Sequence, residues 1–102
     1  MIKKRIAPVH PGAYLKEQLE ELGLSQYRLA KEISVPAMRI NYVINGKRPI
    51  NAELALRLGR YFGQSPRYWL NLQSRYDMDV AEDALSDLVK RQVHPLALTV
   101  AC

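Results

Sequence analysis

"SQYRLAKEISVPAMRINYVINGKRPI", residues 25–50, holds two short apolar stripes joined by a turn. Leu29, Ala30 and Ile33 share one face of a short helix that Ser25 can cap. A second helix opens at Pro36, where the missing N–H costs nothing, and is expected to end at Gly46. Val35, Ile40 and Val43 are its inward aliphatics. The small Ala30 lets the second helix pass close over the first, and the aliphatics lock a steep crossing. This is the pattern of a helix-turn-helix unit. One position departs from it: Ser34 stands where the turn usually holds glycine, because the chain there often goes to positive φ. Serine accepts that conformation at a small cost.

The second helix carries little grease. With Ile40 set inward and about 100° per residue, Pro36, Ala37, Val43 and Ile44 fall on the same side. Met38, Asn41, Tyr42 and Asn45 fall opposite, with Arg39 on a flank. A helix built only for solvation more often carries Glu and Lys. This face has no carboxylate and can approach phosphates without repulsion. Arg and Asn read guanine and adenine edges in a major groove, and Met38 suits a thymine methyl. Beyond the helix, Gly46, Lys47 and Arg48 are expected to offer free backbone amides and two cations to backbone phosphate. Gln26, early in the first helix, is placed to grip phosphate too. Sequence-specific binding of duplex DNA follows. The competing interpretation is an ordinary surface helix in a protein-binding bundle.

The flanks read as further helices. Pro11 opens one with Tyr14, Leu15, Gln18, Leu19 and Leu22 at helical spacing, closed by Gly23. Asn51 caps another, with Glu53 in its first turn and Leu54, Ala55, Leu58, Tyr61 and Phe62 inward, stopped by Gly63. Ser65-Pro66 starts a fifth with the stripe Trp69, Leu72, Tyr76, Val80, flanked by Tyr68 and Leu70. A sixth segment runs over residues 81–92 with Leu85, Leu88, Val89 and Gln92 on one face, stopped by His94-Pro95. The one strand candidate is the short "LALTVAC", residues 96–102. The expected fold is all-α: a five-helix domain over residues 10–80, a basic N-terminal arm at residues 1–9, and a short C-terminal helical extension and tail at residues 81–102.

Charge is divided along the chain. Residues 1–76 hold thirteen Lys/Arg and five Asp/Glu, a net of +8, while residues 77–102 hold two against five, a net of −3, which together make +5. The basic body points to a polyanion and the acidic stretch to a basic partner, unless both are merely solvated faces. The 102 residues suit one small domain, whose modest core would gain from self-association. No apolar run approaches the roughly 18 residues of a membrane span, and "MIKKRIAPVHPG" lacks the apolar core of a signal peptide. The single Cys102 forms no internal disulfide, so a reducing cytoplasm is the expected location, with nucleoid association when bound to DNA. His10 and His94 lack partners at metal-ligand spacing. "DMDVAEDALSD" lacks the glycine of a calcium loop. Neither a phosphate loop nor a nucleophile with its base is present. No catalytic residue, metal or cofactor is expected, and the chain does not read as an enzyme.

Taken together, "HPG", "GLSQYRLA", "RIN", "NGKRPI", "ALRLGRYFG" and "SPRYWLNLQSRYD" resemble the HigA family of bacterial antitoxins, within the phage-repressor-like, XRE-class helix-turn-helix proteins. The resemblance runs from His10 to about Ala81. It implies a homodimer that represses its own operon at an inverted-repeat operator. It also implies direct neutralisation of a toxin resembling RelE-type messenger RNA interferases. Carried onto this chain, Ser25 and Gln26 fall at the cap and phosphate-clamp positions. Ala37, Met38, Arg39, Asn41 and Tyr42 fall at base-reading positions, and Asn45, Lys47 and Arg48 in the backbone-contact loop.

A short recognition helix reads few base pairs, so two copies about one DNA turn apart make a useful site. The fifth helix is the expected self-association surface, through Tyr68, Leu70 and Leu72, with Trp69 mainly in the core. Asp79 and Asp83, in the acidic stretch, are candidates for contact with a basic toxin, or else merely keep the tail soluble. The alternative function is a stand-alone helix-turn-helix repressor with no toxin.

Overall fold

The computed structural model describes residues 7–97. Most of the expected basic arm, and Cys102 with the end of the apolar tail, lie outside them. Among the described residues there are five helices and no strand: α1 (Pro11–Leu22), α2 (Gln26–Ile33), α3 (Ala37–Ile44), α4 (Ala52–Phe62) and α5 (Pro66–Gln92). Three of the caps are those the sequence dictates. Ser25 accepts from Arg28 N–H, Asn51 from Leu54 N–H and Ser65 from Arg67 N–H. The cap of α1 is His10, whose Nδ1 accepts the Gly12 N–H at 2.9 Å.

Leu15, Leu29, Ile40, Val43, Leu54, Leu58 and Trp69 are wholly removed from solvent and join the first four helices to the start of α5. Each such side chain contributes about 1.5–3 kcal/mol by burial. Trp69 is in the core, and its indole N–H donates to Gln64 Oε1 at 3.1 Å. Tyr61 and Phe62, expected to be buried, only half-bury at the rim, stacked edge-on at 5.2 Å. The approach of α1 to α3 depends on Gly12, since a Cβ there would collide with the Val43 carbonyl.

The turn between α2 and α3 takes the conformation its position demands. Ser34 sits at φ 60, ψ 49, the one non-glycine residue with positive φ among those described. Its N–H and that of Val35 turn back to the last carbonyls of α2, and Val35 N–H reaches Ala30 O at 2.9 Å. Arg57 of α4 adds a bond from Nη1 to Ile33 O at 2.9 Å.

Two boundaries differ from expectation. Helix α3 ends at Ile44 with Asn45 as its C-cap, and Gly46 follows at φ 75 in the turn beyond. The fifth and sixth helices are one, because residues 77–81 contain no glycine or proline to break them. The 27 residues of α5 span about 40 Å, more than the 31 and 23 Å cross-dimensions of the molecule. Every residue from 82 to 97 is exposed. Among the described residues no helix is long and apolar enough to cross a membrane.

Candidate nucleic-acid interface

Helix α3 is anchored by its second half. Ile40 and Val43 are fully buried and Ile44 is half-buried against them. Pro36 and Ala37, expected on the inward side, are exposed. The first turn of α3 stands clear of the core that its second half fills, so helical angle alone misplaces them. Ala37 thereby joins the outer surface with Met38, which is 63% exposed.

Behind them lies a chain of amides. Asn45 Nδ2 donates to Asn41 Oδ1 at 3.1 Å, and Asn41 Nδ2 donates to Gln26 Oε1 at 3.2 Å. This ties the outer face of α3 to the first turn of α2. Each bonded Asn41 atom keeps a second hydrogen or lone pair for a base edge. The Gln26 Nε2 donors are not used in this chain of bonds and are suited to phosphate.

Arg39 is a strut. Its Nη2 donates to Asn51 Oδ1 at 3.0 Å, and its Nη1 lies 3.9 Å from Glu53 Oε1. Its side chain is 26% exposed. Contact with a base requires it to share or exchange these partners. Asn51 was legible only as a cap; the same oxygen also orients Arg39, and nothing in linear spacing pairs positions 39 and 51.

The loop after α3 corrects one expectation. Its amides are not free: Gly46 N–H donates to Val43 O, while Lys47 and Arg48 N–H both donate to Tyr42 O at 2.8 and 3.3 Å. The C-terminal carbonyls of α3 consume them, as helix ends require. Phosphate binding at this loop therefore falls to side chains. Lys47 and Arg48 are exposed, and the Arg48 guanidinium lies 5.6 Å from the centroid of the half-buried Tyr42 ring, a cation–π contact that limits its freedom. Gln26, Ala37, Met38, Arg39, Asn41, Tyr42, Asn45, Lys47 and Arg48 thus lie on α3, the start of α2 and the loop beyond α3, without a carboxylate among them.

Fifty-five residues, 15–69, match the helix-turn-helix family model. Virulence-associated protein I of Dichelobacter nodosus is 44% identical over 78% of this chain and 75% of its own length. A solved addiction module antidote protein of the HigA family from Coxiella burnetii superposes with a TM-score of 0.86 at 40% identity, covering 88% of this chain and 99% of that one. The Pseudomonas aeruginosa antitoxin HigA, solved with the higBA promoter, gives 0.84 at 37% identity over 88% and 99%.

This chain belongs to the helix-turn-helix family that includes the HigA antitoxins. HigA-like proteins are DNA-binding regulators rather than a class of enzymes. The family model ends at Trp69, in the first turn of α5, so it covers the whole reading unit and leaves most of α5 outside.

The other residues singled out by sequence lie on α5, outside this HigA-like surface. Tyr68 is exposed and stands edge-on to Trp69 at 5.0 Å. Leu70 and Leu72 are half-buried against the chain's own core. Asp79 is half-buried beside Leu72, Arg75 and Tyr76, and Asp83 lies on the exposed part of the helix. A larger apolar strip lies further out: Met78, Leu85, Leu88 and Val89 are all exposed. Sequence reasoning placed the last three on one face but did not show that the face is exposed, which follows from α5 outrunning the domain.

Proposed function

We propose that this protein is an antitoxin that binds an inverted-repeat operator in its own promoter as a homodimer and neutralises a basic, RelE-like RNA-cleaving toxin by direct contact. The observation that carries the DNA part is the outer surface of α3. It joins an amide chain, Gln26–Asn41–Asn45, to two exposed cations, Lys47 and Arg48, in a fold shared with an antitoxin solved on its promoter. Asn41, with Met38 and Ala37 beside it, reads bases; Gln26, Asn45, Lys47 and Arg48 position the backbone; Arg39 and Tyr42 brace the surface and contact DNA from its edges.

Self-association uses α5. Tyr68 supports the expected face, while Leu70 and Leu72 already spend part of their area inside the chain. The exposed strip Met78, Leu85, Leu88 and Val89, further along the same helix, adds apolar surface to it. A toxin meets the acidic flank of the same helix at Asp79 and Asp83, where electrostatics favour a basic partner.

Two measurements test this. Affinity for a duplex carrying the protein's own promoter falls steeply with salt, as phosphate neutralisation requires; a flat salt dependence removes the DNA reading. Co-expression with a neighbouring open reading frame for a small basic protein restores growth and co-purifies the pair. Promoter binding without any such toxic partner leaves a stand-alone repressor instead. Unchanged toxin binding on charge reversal of Asp79 and Asp83 removes the acidic flank.

A further inference from the structure

The loop that carries Lys47 and Arg48 is gripped from below by residues of two other elements. Ile50, 1% exposed, donates its N–H to Gln73 Oε1 of α5 at 2.7 Å. Gln73 is the buried polar side chain of the core, 7% exposed, and its Nε2 donates to Asp77 Oδ1 at 2.9 Å. Asp77 acts electrostatically on His10, whose ring stands edge-on to Tyr76 at 4.9 Å. His10 also makes a hydrogen bond with the backbone of Arg48 and lies beneath Gly46, where a Cβ would rest 3.7 Å from the ring. Its Nδ1 caps α1. From above, Tyr42 O holds the Lys47 and Arg48 amides.

We infer that His10, Gln73 and Asp77 form a clamp that positions the loop of residues 46–50, so that α5 fixes where Lys47 and Arg48 meet phosphate. This rests on the DNA-binding reading for the phosphate contact, though not for the clamp itself. Capping explains His10 Nδ1 and nothing more. It does not explain why a buried glutamine from α5 is spent on the Ile50 amide, or why a carboxylate orients that glutamine. A buried amide is costly unless satisfied, and here both ends of the Gln73 side chain are satisfied, by the Ile50 N–H of the loop and by the exposed Asp77 carboxylate. These residues are positioning residues; none needs to touch DNA.

The clamp requires neutral His10, because a protonated Nδ1 cannot accept the Gly12 N–H. The groups facing the imidazole are the Asp77 carboxylate and Tyr76 ring of α5, the Arg48 backbone of the loop and the Gly12 N–H of α1. Burial holds its pKa below 6.5, while Asp77 and the Arg48 backbone pull the other way.

The test combines amide NMR of the full chain with anisotropy titrations of a mixed-sequence 30-base-pair duplex across salt at pH 8. The Gly12 and Arg48 amides should titrate together with a midpoint below 6.5. The Asp77→Asn variant should lower that midpoint further. His10→Asn, whose amide oxygen keeps the cap, should abolish the titration. Gln73→Met should shift the Ile50 and Arg48 amides and reduce the salt slope by about 1–2, the loss of one or two phosphate contacts. Asp77→Ala, which removes the acceptor of Gln73 Nε2 and changes no core residue, should shift the Ile50 amide in the same direction to a smaller extent if Gln73→Met fails to fold. A Gly12 titration that Arg48 does not share, or an Ile50 amide unmoved in Asp77→Ala, overturns the clamp. If wild-type duplex binding is independent of salt, the DNA reading fails and the phosphate role fails with it, while shared titration of Gly12 and Arg48 still establishes that His10 grips the loop.

Discussion

Helix α3 and the outer half of α5 make opposite use of apolar residues. Helix α3 has eight residues, and two of them, Ile40 and Val43, are fully buried. Its outer side chains are bonded to α2 and α4 through Gln26, Asn51 and Glu53. The outer half of α5 is about twice as long, carries more exposed aliphatic surface, and is covered by nothing among the described residues. A short helix is marginal on its own. Packing therefore makes α3 a rigid platform, whereas α5 has a face whose stability depends on what covers it.

The largest expected effect separates the two regions by stability. Ile40→Ala should cost about 2–5 kcal/mol in chemical denaturation, as full burial implies. Leu85→Ala, on a residue 46% exposed, should change the folding of an isolated chain little and instead weaken self-association in sedimentation. Equal effects from the two would erase the distinction. Next comes Gly12→Ala, which should cost about 1–3 kcal/mol by forcing α1 from the Val43 carbonyl. A neutral result would mean that α1 moves freely over α3.

Ser34→Gly should stabilise the chain by about 0.5–1 kcal/mol. Relief of the left-handed serine outweighs the entropy glycine loses on folding. A lower melting temperature would mean that the serine hydroxyl contributes to the turn. The smallest effect is in pH. The folded pKa of His10 lies below its unfolded value of 6.5, so the unfolded chain binds the proton more readily. The stability this group contributes is complete above pH 6.5 and is lost as pH falls through the folded value. The melting temperature should decline over that window, and less so in His10→Asn.

The reading unit was legible from local signals. Ser25, Asn51 and Ser65 announce caps because a cap needs only a side-chain oxygen two or three residues ahead of an amide. Ile40 and Val43 announce a buried stripe because helical period is local. The same locality caused the misses. Pro36 and Ala37 share an angle with Ile40, but tertiary packing decides which turns reach the core. The amides of Lys47 and Arg48 looked available because nothing in linear order says that Tyr42 O takes both. Gln73 left one overlooked clue: it follows Trp69 by four residues on a buried face, where a polar side chain needs a partner.

The sequence by itself determined that this chain forms an all-α helix-turn-helix domain with a carboxylate-free face on its third helix, because periodicity, caps and side-chain chemistry act over a few residues. Tertiary structure alone decided that Arg39 leans on Asn51, that Gln73 takes the Ile50 N–H, and that Arg57 reaches the Ile33 carbonyl. Those outcomes depend on which groups distant in sequence come within hydrogen-bond reach, and that is set by packing.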